Sequence, residues 1–590
     1  MSSAAASAPS DASNDIVLRR GAIALLALFA LIYLLPLGVR PLSSPDEVRY
    51  GEIAREMIAS GDWVSPHFNG VRYFEKPVLG HWLNAISVAT LGESRFAVRL
   101  PVALATGLSG LIVFLLARRF ISRSTAVLSS AIFLTTLIVA GCGSVAVLDA
   151  FLALFVTAAV AAYYVAVTAG TRRERYAYLA LCGVACGAAF LTKGFIAWAI
   201  PAVVAAPYLI ARRDWRTLLT SPWLPFGVAI LVSLPWGVLV HLREPDFWRY
   251  FVIVEHLQRF AGDNAQHPQP PWFFVAYLPA IGWPWIWLLP AAAIGIRGEG
   301  RHKDFLFYAA LWAVMPLLFF SASKGKLLTY VLPCFAPLSI LLAAGLEGYF
   351  AAGRTRAFRI AAGLAAVLLA LLLVLLAVSQ AGKLGAPAYG PDAHGKLAAM
   401  AALLAAALVC AVIAARSTGA RTGLVAFTGT AVAFFLPLDV ALPQRAIDGF
   451  APSTAIAHYV ATPADTVLVS DASLAGAVAW ELNRQDVYVV NPGEMSYGLS
   501  YPEARHRKLT SAMLGDLIAS SRGAHDMLVL CEPDTEKEID SQLPTNTERS
   551  RVRIRRPVTN TSRALRSSLP WSSCCRLNSR CGSGPCRRRS

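Results

Sequence analysis

Charge is scarce in this sequence: 15% of its 590 residues are Asp, Glu, Lys or Arg, 56% are hydrophobic, and mean hydropathy is +0.53. Soluble domains carry about 25% charged residues, so the composition excludes an ordinary soluble protein. No Gly-rich phosphate-binding loop lies in the polar connections, which gives a nucleotide no obvious seat. The first apolar run lacks a small-x-small cleavage site after it and is too long for a cleaved signal peptide. The cysteines show no zinc-like spacing. Cys142, Cys182, Cys186, Cys334 and Cys410 fall in or beside apolar runs, where a thiol serves as a small filler, and Cys574, Cys575, Cys581 and Cys586 sit in an odd tail. That tail has twelve arginines and no acid after Glu548. No duplicated halves are visible, a feature many transporters carry.

What is abundant is apolar sequence in runs long enough to cross about 30 Å of hydrocarbon. Thirteen segments qualify: 21–39, 97–117, 124–141, 145–168, 175–192, 194–211, 222–241, 272–292, 305–321, 329–347, 357–378, 395–415 and 421–441. The expected fold is an α-helical polytopic membrane protein of about thirteen transmembrane helices with a small C-terminal periplasmic α/β domain. The pair of segments meeting at Lys193 has the shortest connection.

Basic residues set the orientation. Arg19 and Arg20 precede the first span, and alternate loops read "RRFISR", "TRRERY", "ARRDWR", "RGEGRHKD", "GRTRAFR" and "RSTGAR", while the intervening short links hold few cations. The amino terminus is therefore expected inside and the carboxyl terminus outside. The net charge of +17 belongs to these loops and to the tail, not to a nucleic-acid surface. The expected organisation is a disordered cytoplasmic 1–20, a transmembrane domain over 21–442 with outer loops 40–96 and 242–271, an α/β domain over 443–540, and an atypical Arg/Ser/Cys-rich 541–590. In the α/β region "TVLVS" (466–470), "DVYVV" (486–490) and "DMLVL" (526–530) are buried-strand candidates. The tail matches no packed domain, and no function is placed there.

The first outer loop opens with "SSPDEVRYGEIAREM". Ser44, Pro45 and Glu47 fit a capping box, with Ser44 as N-cap and Glu47 reaching back. Helix is expected to about Ala59, ended by "SGDW". Acids in a first turn complement the macrodipole, so Asp46 and Glu47 have a purely structural reading. A second reading comes from company on the same side: Arg72, Tyr73, Glu75 and Lys76 in "NGVRYFEKPVLGHW", the "VEHLQRFAGDNAQH" and "SKGKLLTY" stretches, and Asp149 near the outer end of span four. An acid that close to lipid is costly unless it faces a protein-lined cavity.

Arg49, Lys76, Lys193, Arg259, Lys324 and Lys326 lack an obvious local carboxylate each. Such cations suit phosphate in a poorly hydrated site. Glycosyl transfer from a lipid phosphate needs cations for the departing phosphate and a carboxylate for the acceptor or an oxocarbenium-like centre. Asp46 and Asp149 are the best-placed acids. On chemistry alone, a transporter of the lipid-linked sugar stays open.

The motifs "SSPDEVRYGEIAREMIASGDW", "GVRYFEKPVLGHW", "AVLDAF", "FLTKGF", "REPDFWRYFVIVEHLQRFAGDNAQH" and "SKGKLLTYVLPC" resemble, in order over roughly 40–340, the lipid A 4-amino-4-deoxy-L-arabinose transferases. These belong to the wider fold of polyprenyl-phosphate-sugar glycosyltransferases that includes the protein O-mannosyltransferases. The DE loop and "EKP" are shared with relatives using other sugars, whereas the "EHLQRF…DNAQH" run is more particular to the aminoarabinose branch.

The resemblance implies transfer of aminoarabinose from undecaprenyl phosphate to lipid A phosphates at the periplasmic face of the bacterial inner membrane. Such transfer lowers negative charge and gives polymyxin resistance. It implies no nucleotide cofactor and no nucleic acid partner. Another polyprenyl-linked sugar or a protein acceptor is the same-fold alternative. Carried over, Asp46 and Asp149 resemble the two acidic catalytic positions. Glu47, Arg49, Tyr73, Lys76, Lys193, Arg259 and Tyr330 resemble substrate-binding positions, with Lys76 on the donor phosphate. Glu75 and His256 resemble a pair able to hold a divalent metal, zinc or magnesium. Two ligands fall short of the three or four zinc usually takes.

Overall fold

The computed structural model describes residues 11–258, 267–297, 300–459, 461–521, 526–543, 548–552 and 572–577. It divides into two compact units, one of Met1–Val39 with Arg99–Ala441 and one of Arg40–Val98 with Leu442–Ser590.

The first unit is helical. Among the described residues nine helices are long and apolar enough to cross a membrane, and two bent pairs raise the number to eleven. All thirteen apolar segments read from the sequence fall on helix. Nine of them coincide with those spans and four do not. Segment 124–141 breaks into Arg123–Leu134 and Leu137–Ser144 with a 62° bend, and 272–292 into Phe273–Ile281 and Trp285–Ile296 with a 98° bend. At the second bend Pro284 removes a backbone donor. Segment 21–39 is Asp11–Phe29 continued by a π-helical turn, Ala30–Leu34, and 194–211 is the 16-residue Ile196–Ala211. Its short connection is made by Gly194, whose φ of +79° ends the preceding helix at Lys193.

Packing divides the spans into enclosed and lipid-facing ones. Leu148–Val167 is the most enclosed, with 78% of its apolar window buried. Arg95–Phe120 exposes Leu104, Leu108, Leu111 and Leu115, a single stripe at helical spacing. Close approach uses small residues: a Cβ on Gly295 would stand 1.8 Å from the Gly345 carbonyl oxygen.

The second unit joins residues 40–98, which include the first outer loop, to the carboxyl-terminal segment. In this unit β1 (His67–Phe68) pairs with β2 (Val71–Arg72), and the carboxyl-terminal segment holds β3 (Val467–Asp471), β4 (Tyr488–Val490), β5 (Lys508–Leu509), β6 (Met527–Cys531), β7 (Glu548–Val552) and β8 (Ser572–Leu577) in a sheet ordered β5-β4-β3-β6-β8-β7. β3, β4, β5 and β6 run parallel. β7 and β8 add antiparallel at the β6 edge. β3, β4 and β6 match the three strands read from the sequence. β7 and β8 lie in the stretch expected to match no packed domain. The helix Asp46–Ser60 packs on Ala472–Leu482, where Gly51 meets the Trp480 ring and Gly476 meets Phe68. Asn69, at φ +55°, donates from Nδ2 to the Val487 carbonyl (2.9 Å) and accepts from the Val487 amide (3.2 Å). Arg507 bridges the Asn69 and Gln485 carbonyls.

Helix Asp46–Ser60 ends at Gly61, φ +68°, within the expected "SGDW". Its start differs by one residue. Glu47 accepts from the Ser43 amide (2.9 Å) and hydroxyl (3.0 Å), so the box closes on Ser43. Pro45 occupies the cap position, and the Ser44 hydroxyl instead donates to the Ser473 carbonyl.

Candidate active site

Each unit carries one cluster of the residues singled out from sequence. In the second unit, Asp46 and Arg49 share a helix face at i, i+3 spacing, and Arg49 Nη2 donates to Asp46 Oδ1 at 3.0 Å. The other guanidinium arm donates to Tyr73 Oη at 3.1 Å and pairs with Glu494. The Tyr73 hydroxyl donates in turn to Glu494 at 3.0 Å. Arg49 is 10% exposed, Glu494 32% and Asp46 50%, so the acids reach solvent from a buried cation. Burial opposes the guanidinium charge, but Tyr73, Glu494 and Asp46 outweigh it and hold Arg49 above its ordinary pKa. Burial also raises Tyr73 well above the ordinary phenol, against the pull of Arg49.

The loop after β2 (Val71–Arg72) brings Lys76 and Glu75 together: Lys76 Nζ donates to the Glu75 carbonyl at 2.9 Å and lies 3.8 Å from its carboxylate. His81, fully buried, packs on Tyr50 and edge-on to Tyr73. Burial, with Lys76 and Arg49 adding to it, pushes its pKa down to about 3, so the imidazole is neutral at physiological pH.

Glu47 follows Asp46 in the first turn of the same helix. Its carboxylate is fully buried and takes Arg40 at 3.1 Å besides Ser43, which fixes the helix start.

In the first unit, Asp149 opens the helix Leu148–Val167 and Lys193 closes the helix Arg172–Lys193, each the sign the macrodipole favours there. Lys193 Nζ donates to Asp149 Oδ1 at 2.7 Å and stands 5.3 Å from the centroid of the Tyr330 ring. Tyr330 therefore meets a cation by its π face. Lys326, expected as a phosphate-type cation, is buried and spends Nζ on the Gln269 and Ser323 carbonyls. Arg259 lies outside the described residues.

His256 Nδ1 lies 2.7 Å from the Phe251 carbonyl, with the ring against Phe195 and Phe251. A donor hydrogen bond there fixes the tautomer of the ring. Glu75 belongs to the other unit, and among the described residues no group of three or more His, Cys, Asp or Glu is gathered for a metal. Each side chain has the donor chemistry a divalent metal takes.

Glu494 was missed from the sequence. It sits in the 3-10 turn Gly493–Ser496 after β4, at the carboxyl end of a parallel strand, where such sheets present functional groups. In the sequence it is only an acid following "NPG" after a buried-strand run, with no nearby lipid-facing segment to make its charge costly.

Comparison with known proteins bears on both units. Residues 19–251 match the family model for dolichyl-phosphate-mannose-protein mannosyltransferase, and 447–555 match that for arabinosyl transferase ArnT, C-terminal domain. Undecaprenyl phosphate-α-4-amino-4-deoxy-L-arabinose arabinosyl transferase of Aeromonas salmonicida is 42% identical over 89% of this chain and 96% of its own. The protein of the same name from Aeromonas hydrophila is 41% identical over 87% and 94%. The structure of ArnT from Cupriavidus metallidurans bound to undecaprenyl phosphate superposes with a TM-score of 0.74 at 23% identity, covering 94% of this chain and 97% of that one.

Apolar spans, two acid–cation clusters and these likenesses define a multi-pass membrane glycosyltransferase that uses a polyprenyl-phosphate donor. Within that class the chain belongs to the undecaprenyl phosphate-4-amino-4-deoxy-L-arabinose arabinosyl transferases. Membership of a transferase family sets the transporter reading aside.

Proposed function

We propose that this chain moves 4-amino-4-deoxy-L-arabinose from undecaprenyl phosphate to the phosphate groups of lipid A. The reaction takes place at the periplasmic face of the inner membrane, with the amino terminus cytoplasmic, the carboxyl terminus periplasmic and thirteen spans between them. The observation that carries the reading is the 42% identity to an arabinosyl transferase over nearly its whole length, on a chain that keeps a half-exposed acid beside a buried arginine.

The chemistry follows from the groups present. An acceptor phosphate oxygen attacks the anomeric carbon, the bond to the donor phosphate breaks, and undecaprenyl phosphate leaves with the electron pair. The acceptor is ionised near neutral pH, so no strong general base is required. Asp46 then steadies positive charge developing at the anomeric carbon and orients the acceptor or the sugar amine. Lys76 holds the donor phosphate, with Tyr73 lining the same pocket. Asp149, Lys193 and Tyr330 form the second polar station, and Arg259 is a further phosphate ligand. A divalent metal held by Glu75 and His256 would supply Lewis-acid charge near that phosphate. Metal content of the purified protein, lost in Glu75→Gln and His256→Ala, tests this.

The sugar on lipid A lowers its negative charge and with it the binding of cationic peptides such as polymyxin. Mass spectrometry of lipid A tests the whole reading: cells with the gene gain one aminopentose per modified phosphate, and unchanged lipid A would sink it. Asp46→Asn is expected to lose about 10²- to 10³-fold in rate, since it removes the charge that steadies the anomeric centre.

A further inference from the structure

We propose that Glu494, a residue of the carboxyl-terminal segment, is a positioning residue for the reaction: it holds Arg49, and through Arg49 sets the place and charge of Asp46. The inference rests on the transfer reaction proposed above.

The geometry gives Arg49 three partners with two arms. One arm reaches Asp46 on its own helix; the other is taken by Glu494 and the Tyr73 oxygen. Tyr73 and Glu494 are themselves joined at 3.0 Å, so the second arm meets a closed triangle, not one mobile acid. Arg49 is buried and Asp46 is half exposed. A guanidinium with only Asp46 as acidic partner would turn fully onto it in a bidentate pair, and Asp46 would then be screened from positive charge on a substrate. Glu494 divides the guanidinium and leaves one arm per acid. The groups facing Arg49 are Asp46 and Tyr50 from its own helix and Tyr73 and Glu494 from the elements packed on it. Glu494 is the one separated by more than 400 residues of sequence.

Glu494 has a structural setting suited to this duty. It follows β4 through the Asn491–Pro492–Gly493 turn, in which Gly493 takes φ +51° and Asn491 φ +54°. Asn491 is fastened by Nδ2 to Glu538 at 2.9 Å. A displacement of about 1 Å in a catalytic group costs up to about 100-fold in rate, which sets the size of effect expected when the fastening fails.

The test uses the full-length enzyme in detergent with the undecaprenyl phosphate-linked aminopentose as donor and lipid A as acceptor. Glu494→Gln keeps the shape and loses the charge. It is expected to lower kcat about 10- to 100-fold with the donor KM within about 3-fold. The acid limb of its pH profile moves to lower pH, because the undivided guanidinium charge favours ionised Asp46. Glu494→Asp recovers part of the rate. Arg49→Gln with Glu494→Gln together are no slower than Arg49→Gln alone, since one residue acts through the other.

An unchanged kcat and acid limb in Glu494→Gln, or losses that multiply in the double variant, overturn the proposal. Should Glu494→Gln lose its unfolding transition, Tyr73→Phe removes the hydroxyl held by Glu494. A fall in kcat smaller than that expected of Glu494→Gln, with the acid limb unmoved because Glu494 keeps its charge on Arg49, supports the proposal, and a wild-type kcat overturns it. A wild-type enzyme inert toward this donor and acceptor overturns the functional reading and this inference with it. An active wild type with indifferent variants overturns the inference alone.

Discussion

The two acids of this protein are held in opposite ways. Asp149 is held by Lys193, only 44 residues along the chain, where the end of one apolar helix meets the start of another. Asp46 is held by Arg49 on its own helix, but that arginine is divided by Glu494, 445 residues from it. The first pair is poorly exposed, with side chains at 17% and 13%, and the second leaves its acids a third to a half open. A pair shut into low-dielectric surroundings is made by two partners and broken by losing either. A pair open to water is set by arrangement, and small shifts of geometry matter to it more than the charge itself does.

Lys193→Met gives the largest effect and tests the closed pair. It leaves Asp149 unpaired, and breaking a buried pair costs about 3–5 kcal/mol, read as a lowered unfolding temperature in detergent. Lys193→Met with Asp149→Leu is expected to regain most of that stability while transfer stays lost. Full recovery of both would reduce the pair to scaffolding, and an unaffected single variant would show that it is not closed at all. No such rescue is expected in the open cluster, where Arg49→Gln should cost rate more than stability.

This contrast also explains what could be read from the sequence. Apolar runs are local in sequence and so are spans, which is why every one of the thirteen segments falls on helix. The two bends escaped because they depend on a few residues around Thr135 and Trp283 that leave mean hydropathy unchanged. Asp46, Arg49, Tyr73 and Lys76 were legible because charged residues beside lipid demand a reason. Asp149 and Lys193 were both singled out, yet not as a pair, since nothing in either segment names its partner. Glu494 was not legible: one acid in a soluble-looking strand-turn sequence carries no such cost. The attachment of loop 40–96 to the carboxyl-terminal segment was hidden for the same reason, being made by Asn69, Arg507 and Ser44 through backbone groups with no sequence identity to match.

The next effect, about 3 kcal/mol, comes from a carboxylate that belongs to neither cluster. Asp471 ends β3, caps the helix Ala472–Leu482 by accepting from the Leu474 amide at 3.0 Å, and accepts also from the Glu532 amide after β6. Burial raises its pKa from the ordinary 3.8 to about 6, more than those amide donors lower it. The folded state therefore binds this proton more tightly than the unfolded chain does. The stability is fully present below about pH 4 and lost as pH rises through about 6, amounting to roughly 3 kcal/mol for two pH units. Comparing wild type with Asp471→Asn across pH 4 to 8 isolates it. The wild type should lose ground to the variant between pH 4 and 7, and a constant difference would show that Asp471 is ionised throughout. The open cluster adds nothing in this window, because Arg49 and Tyr73 are both held above their already high ordinary values and stay protonated through it.

The smallest effect separates local from distant fastening within the acid-bearing helix itself. The Ser43 hydroxyl closes the box with Glu47, while the neighbouring Ser44 hydroxyl reaches the Ser473 carbonyl. Each bond contributes about 1 kcal/mol net, so Ser43→Ala and Ser44→Ala should lower stability alike. Their effects on transfer should differ. Glu47 keeps Arg40 and the Ser43 amide when the Ser43 hydroxyl goes, so the helix start and Asp46 stay in place. Losing the Ser44 hydroxyl loosens the helix from the segment that carries Glu494, and Arg49 then has its second arm less firmly held. A rate lowered in Ser44→Ala and kept in Ser43→Ala, at equal cost in unfolding temperature, would place the control of Asp46 in the distant contact. Equal rates would return that control to the helix.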